Sequence, residues 1–535
     1  MEKEFFEFIQ SFEAKVINLS RELSLSNFDA TISGKQEEYT KTAEIELKLK
    51  KVFSNKDDYE KLKKIKESGE ITDEVNKREL VVLFNAYSEY QISDELLEKT
   101  VSLASKIEQT FSTYRAEVND EKLTDNEIDK VLETSNNLTE LEDTWKASKQ
   151  IGKLVSEDVI KLVKLRNQAA TDLGYKNYHQ MSLTLSELDT EFIDELFDKL
   201  DDKTKPKFIE LKGEIDSYLS NHYGIAKEEL MPWHYQDKFF QQGPSIYNLD
   251  LDEYFENENI EKLTDDYFDG IGLDIKDMLA KSDLYEKEGK YQHAYCTQID
   301  KEGDVRVLCN IKPNYKWMGT MLHEFGHAVY DKFVNPKLPW TLREYSHIFT
   351  TEAIAMLFGR LASNPNWLQG MLEISDDEKN KISENSFKTL QLEQIIFSRW
   401  VQVIYRFEKA MFENPDGDLN SLWWELVEKY QGLKKPENRN EPDWASKIHI
   451  ALYPVYYQNY MLGELLASQL YFYIKEKVLN DQSDEMASFI NKKDVGEYLK
   501  NLFFSYGALL KWDKLIEKST GEELKPDYWI KQFAE

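Results

Sequence analysis

Thr320-Met-Leu-His-Glu-Phe-Gly-His-Ala-Val-Tyr330 is the stretch on which the reading of this chain turns. His323, Glu324 and His327 form an HExxH pattern, which on a helix is a zinc-site signature. At 3.6 residues per turn, histidines four apart stand one above the other. Both imidazoles can then reach one ion at about 2.0 to 2.1 Å. Glu324 follows the first histidine and is placed to act as general base on a metal-activated water. Met318, Met321, Leu322, Phe325, Ala328 and Val329 surround the pattern, so the segment reads as a buried helix. Buried histidines and a buried glutamate need partners, and a shared ion satisfies all three.

A catalytic zinc takes a third protein ligand and keeps an open fourth position. Glu352 fits, on the next apolar segment, Thr350-Thr-Glu-Ala-Ile-Ala-Met-Leu-Phe358, where an unpaired carboxylate is costly. Glu344 lies nearer, but in the polar Leu342-Arg343-Glu344-Tyr345, and reads as a structural ion-pair partner.

Outward from the motif, composition predicts helix. Only 21 Gly and 12 Pro occur in 535 residues, so turns and breakers are scarce. Phe5, Ile9, Phe12, Val16 and Leu19 step by four and three, as do Phe192, Ile193, Leu196, Phe197 and Leu200. The expected fold class is all-α, with a small β-hairpin at the active site. That hairpin is expected between His293 and Asn310, turning at Lys301-Glu302-Gly303-Asp304. It is the one sheet element predicted. Residues 1–535 read as a single catalytic domain, with 1–145 a helical N-terminal lid region and 146–535 the metallopeptidase core.

The balance of 68 basic against 99 acidic residues, net −31, excludes nucleic acid and anionic membranes as partners. No basic leader with an apolar run opens the sequence, and no stretch reaches membrane-spanning length. A cytoplasmic location is expected. Cys296 and Cys309, the two cysteines, are too few for a disulfide framework and read as buried thiols flanking the hairpin turn.

Around the motif the chain resembles the angiotensin-converting-enzyme family of zinc peptidases. The resemblance rests on Leu342-Arg343-Glu344 with Glu352-Ala353-Ile354, and on Trp423-Trp424 with Lys429-Tyr430-Gln431-Gly432-Leu433. Pro436, Arg439 and Lys447-Ile448-His449-Ile450 extend it, with a fainter echo at Leu165 to Ala170. It covers roughly residues 145 to 475. The thimet and oligoendopeptidase group shares the architecture and a His … Tyr-Tyr … Tyr ending. The resemblance implies a two-lobed zincin with a deep central channel, one Zn2+ per chain, and short peptides as substrates. It also implies that His449 and Tyr460 stabilise the oxyanion, and that His293 with the backbone of Ala294 and Cys296 holds the substrate main chain. Lys447 and Tyr457 would grip a C-terminal carboxylate. One extra residue in this region leaves Tyr456 competing with Tyr457.

Departures matter too. Val427 and Gln458 or Asn459 stand where the family has chloride-binding arginines, so chloride activation is expected to be absent or weak. Met356 replaces an aspartate that supports a metal histidine, which makes Asp331 a candidate substitute. The expected activity is release of C-terminal dipeptides. An endo-acting oligopeptidase is the alternative within hydrolases, and a catalytically silent helical peptide-binding protein is the alternative from another class. The sequence leaves the oligomeric state open.

Overall fold

The computed structural model describes residues 1–535 and is mainly helical. Two two-stranded antiparallel sheets are the only extended elements. Side-chain caps set many of the helix starts: Asn55, Asp73, Ser93, Asn137, Asn177, Asp189 and Asn314 each accept a hydrogen bond from a first-turn N–H. The chain divides into two compact units. One comprises residues 1–91, 249–387 and 462–528, and the other residues 92–248, 388–461 and 529–535.

In the first unit the helices Glu2–Ser33, Gln36–Phe53, Lys56–Ser68 and Glu74–Glu89 bury Phe5, Phe8, Phe12, Val16, Leu62, Leu83 and Tyr87 in one apolar cluster. Phe8 takes the inward position that the spacing gave to Ile9, which packs at the margin. The first helix is tied to the predicted hairpin, whose strands are Tyr295–Gln298 and Val305–Leu308. The hydroxyls of Thr31 and Tyr295 are 2.5 Å apart, and the Tyr291 N–H donates to the Thr31 carbonyl at 2.8 Å.

The histidine motif lies on the helix Tyr315–Phe333, and Glu352 on the helix Ile348–Gly359. Their close crossing depends on Gly326, where a Cβ would stand 2.8 Å from the Ala355 Cα. His347 caps the second helix, its Nδ1 accepting from the Phe349 N–H at 3.2 Å, which is a structural role.

In the second unit the helices Leu138–Asp172, Thr190–Tyr223 and Leu419–Gln431 pack around aromatic side chains. Trp400 lies 6.0 Å from both Trp423 and Tyr457, centroid to centroid. The second sheet, Ala116–Val118 with Glu121–Leu123, corrects the expectation of a single hairpin. Asn119 and Asp120, with φ of 52° and 66°, form its turn, as a two-residue hairpin requires.

Burial also sets how stability follows pH. It raises Glu79, Asp331 and Glu393 to about 7 and Glu408 to about 8, so these carboxyls fold protonated. Their stabilisation falls as pH climbs from the unfolded value near 4 through these folded values. Burial lowers His179, His234 and His449 to about 4, and stability is lost as pH falls from about 6.5 toward that value. Calorimetry of the chelator-treated protein should therefore find a Tm lower at pH 8 than at pH 6.3, by about 2 to 5 °C. A higher Tm at pH 8 would contradict folding with neutral carboxyls.

Candidate metal and catalytic site

The donor atoms of His323, His327 and Glu352 lie within 4.8 Å of one another. Nε2 of His323 and of His327 stand 4.0 and 3.9 Å from Glu352 Oε2. Tetrahedral ligands about 2.0 to 2.1 Å from one ion are separated by roughly 3.3 Å. The two histidine–carboxylate pairs therefore need to close by roughly 0.6 to 0.7 Å to hold zinc, and two imidazoles with one carboxylate are zinc chemistry. Burial lowers His323 to about 4, while burial and then the neighbouring His323 hold His327 well below its usual value. Both imidazoles are thus neutral at neutral pH, the form that ligates. Gly463 lets its backbone approach the carboxylate ligand, since a Cβ there would lie 3.0 Å from the Glu352 Cβ.

His327 turns Nε2 to this centre and sets Nδ1 2.7 Å from the Thr351 hydroxyl, which would accept the Nδ1 proton with a metal on Nε2. Thr351, rather than Asp331, is the supporting group, because the residue beside the ligand glutamate on its helix faces the histidine directly. Asp331 instead meets the Gln298 side chain, with Glu344 and Lys301 nearby. Glu344 pairs with Lys301 at 2.5 Å, as its polar surroundings suggested.

Glu324 is 8 % exposed, and burial, then the Glu352 charge, raises its carboxyl to about 8. The backbone N–H of Cys296 donates to it and opposes that rise. The hairpin thus orients the candidate base, and this Cys296 N–H is already engaged. Cys296 pairs with Val307, so it does not face Cys309 across the ladder, and both thiols are free. His293 and Ala294 precede the strand and do not belong to it, and His293 is exposed. Asn310 fixes this approach, its side-chain amide donating to the Tyr291 and Gln292 carbonyls at 3.0 and 3.2 Å.

A second group forms within the other unit. Lys447 Nζ donates to Gln241 Oε1 at 2.8 Å and stands 5.4 to 5.5 Å from the ring centres of Phe239, Trp400 and Tyr457. Burial lowers its ammonium to about 8. The Tyr457 ring lies 5.0 Å from His449 and 5.5 Å from Tyr460. Tyr457, not Tyr456, is therefore the tyrosine between Lys447 and His449, while Tyr456 packs on Tyr460 at 5.2 Å. His449 Nδ1 has no hydrogen-bond partner within the protein. Gln241 escaped the sequence reading because a lone glutamine after Phe239-Phe240 carries no pattern. No guanidinium stands at Val427, Gln458 or Asn459, and all three are buried.

Comparison with known proteins agrees with this geometry. The chain is 23 % identical over 393 residues to the angiotensin-converting enzyme of Theromyzon tessulatum, covering 68 % of this chain and 63 % of that protein. To the Sus scrofa angiotensin-converting enzyme it is 23 % identical over 392 residues, 68 % of this chain but 30 % of that protein. The match thus spans less than two thirds of these relatives' lengths. It is also 25 % identical over 235 residues to the Group B oligopeptidase PepB of Streptococcus agalactiae, covering 42 % of this chain and 37 % of that protein. The profile of the peptidase M2 family, described as angiotensin-converting enzyme, matches residues 1–527, and the chain belongs to that family.

Proposed function

We propose that this chain is a zinc-dependent peptidase, with one zinc ion per chain, that releases dipeptides from the C-termini of short peptides. The observation that carries this reading is the convergence of His323, His327 and Glu352, with Glu324 next to the first of them. Zinc bound there supplies Lewis-acid polarisation of the scissile carbonyl. Glu324, held by the Cys296 N–H, takes a proton from the attacking water and passes it to the leaving nitrogen. His449 and Tyr460 donate hydrogen bonds to the developing oxyanion, each worth about 2.7 to 4 kcal/mol. His293, the backbone of Ala294 and the carbonyl of Cys296 hold the substrate main chain in the manner of an added strand. Lys447 and Tyr457, joined by Gln241, bind the terminal carboxylate, with the ammonium as the charge and the neutral groups as its hydrogen-bonding frame.

The experiment compares one short peptide as free acid and as C-terminal amide. The free acid should be preferred by at least about 10-fold in kcat/KM, the value of one lost charge-assisted hydrogen bond. That preference should shrink above pH 8, where Lys447 loses its proton. The facing charges, Asp237, Lys238, Asp125 and Asp129, are the other contributors to that titration. Similarity to the streptococcal oligopeptidase favours a second reading, endo-acting cleavage. Equal cleavage of acid and amide would support it over dipeptide release.

A further inference from the structure

Val455 has φ +58°, a left-handed conformation that a β-branched side chain rarely adopts. It lies between His449 and Tyr457, where the resemblance to the family implies one residue more than its pattern. Strain of this kind persists only where the surroundings over-determine it, and here buried side chains hold the segment at three points. Glu408, 2 % exposed, accepts the Val455 N–H on Oε1 at 3.2 Å. Gln458, 1 % exposed, donates its amide to the Val455 carbonyl at 2.6 Å. Arg166 donates to the Ala451 carbonyl at 2.7 Å, and its charge reaches Glu408. Gln458 is a local partner, but Glu408 and Arg166 come from distant parts of the sequence, so tertiary structure helps to impose the kink.

We propose that Glu408 is a positioning residue whose buried carboxyl holds the Val455 peptide in its left-handed kink, absorbs the extra residue there, and so sets the directions of Tyr457 and Tyr460. Two residues past the kink the helix that carries both tyrosines begins. A relaxed, extended Val455 would change the rotation of that helix start and carry both rings away from His449 and Lys447. The inference rests on the oxyanion and carboxylate roles proposed above for these tyrosines.

The test uses the full chain with its metal. Glu408→Leu keeps the volume and removes the acceptor, and Glu408→Gln keeps an acceptor oxygen. Hydrogen exchange at the Val455 amide should speed by at least about 10-fold in Glu408→Leu and far less in Glu408→Gln. In the same variants, kcat should fall by about 10- to 100-fold in Glu408→Leu, the free-acid preference should narrow, and Glu408→Gln should restore most of both. Val455→Gly, which accepts positive φ without strain, should recover part of the lost kcat when combined with Glu408→Leu. A purely structural carboxyl would show no such recovery. If Glu408→Leu leaves the Val455 exchange rate unchanged, the strap is absent and the proposal is overturned. If exchange speeds but kcat holds, positioning is overturned, and Tyr460→Phe tells where the fault lies. Loss of kcat in Tyr460→Phe keeps the oxyanion reading and discards the strap, whereas full activity discards the reading itself. Should Glu408→Leu fail to fold, Glu408→Gln still decides: loss of kcat in Glu408→Gln with wild-type exchange overturns the proposal.

Discussion

Glu324→Gln should abolish measurable peptide hydrolysis, lowering kcat by about 10²- to 10⁴-fold while leaving metal content at one equivalent. The substitution preserves the shape and the contact with the Cys296 N–H, since the amide oxygen can still accept that bond. It removes the ability to carry a proton from water to the leaving nitrogen. Glu324 is buried, so bulk water cannot readily take over as base. A quenched peptide followed with both proteins, alongside elemental analysis, makes the comparison. Equal rates would end the assignment of hydrolysis to this site and favour a silent peptide-binding protein. A lost rate with lost metal would instead implicate ligation.

The parts of the site readable from sequence are those fixed by covalent spacing along one helix. His323 and His327 share a face because four residues make one turn, and Glu324 is adjacent by connectivity alone. Glu352 was legible because an isolated carboxylate in Ala-Ile-Ala-Met-Leu needs a reason to be there. The hairpin near Cys296 was legible from its alternation and Gly303, and so was the helical character that scarce Gly and Pro dictate. The hairpin at Asn119-Asp120 was missed although its turn chemistry is ordinary, because its strands are only three residues each. Thr351 could not be read, because its meeting with His327 depends on how closely two helices cross at Gly326 and Ala355. Nor could the choice between Tyr456 and Tyr457, since the left-handed turn at Val455 just before them is held by a partner 47 positions away in sequence. Gln241 reaches Lys447 from a loop 206 positions away. Each of these is a tertiary fact with no local signature.

Zinc affinity separates the contributions of the ligand and of its support. Structural zinc sites are worth about 10 to 16 kcal/mol across four ligands, so one ligand carries roughly 3 to 4 kcal/mol, or about 10²- to 10³-fold in affinity. Glu352→Gln should lose at least that much, because it removes the one anionic donor and leaves the site with two neutral imidazoles. Thr351→Val keeps the volume and all three ligands but takes away the acceptor of the His327 Nδ1 proton. A supporting partner of this kind is typically worth 10- to 100-fold in metal affinity. The threonine hydroxyl is a neutral acceptor where the family's aspartate would be charged, which points to the lower part of that range. Thr351→Ser should retain most of the affinity, since it preserves the oxygen and loses only a methyl. Competition with a chelator of known zinc affinity reads all three variants without reference to catalysis, and thermal melts of the metal-free forms control for folding. If Thr351→Val binds zinc as tightly as wild type, His327 finds its tautomer without the hydroxyl. The 2.7 Å contact would then be packing between helices and not support for the metal.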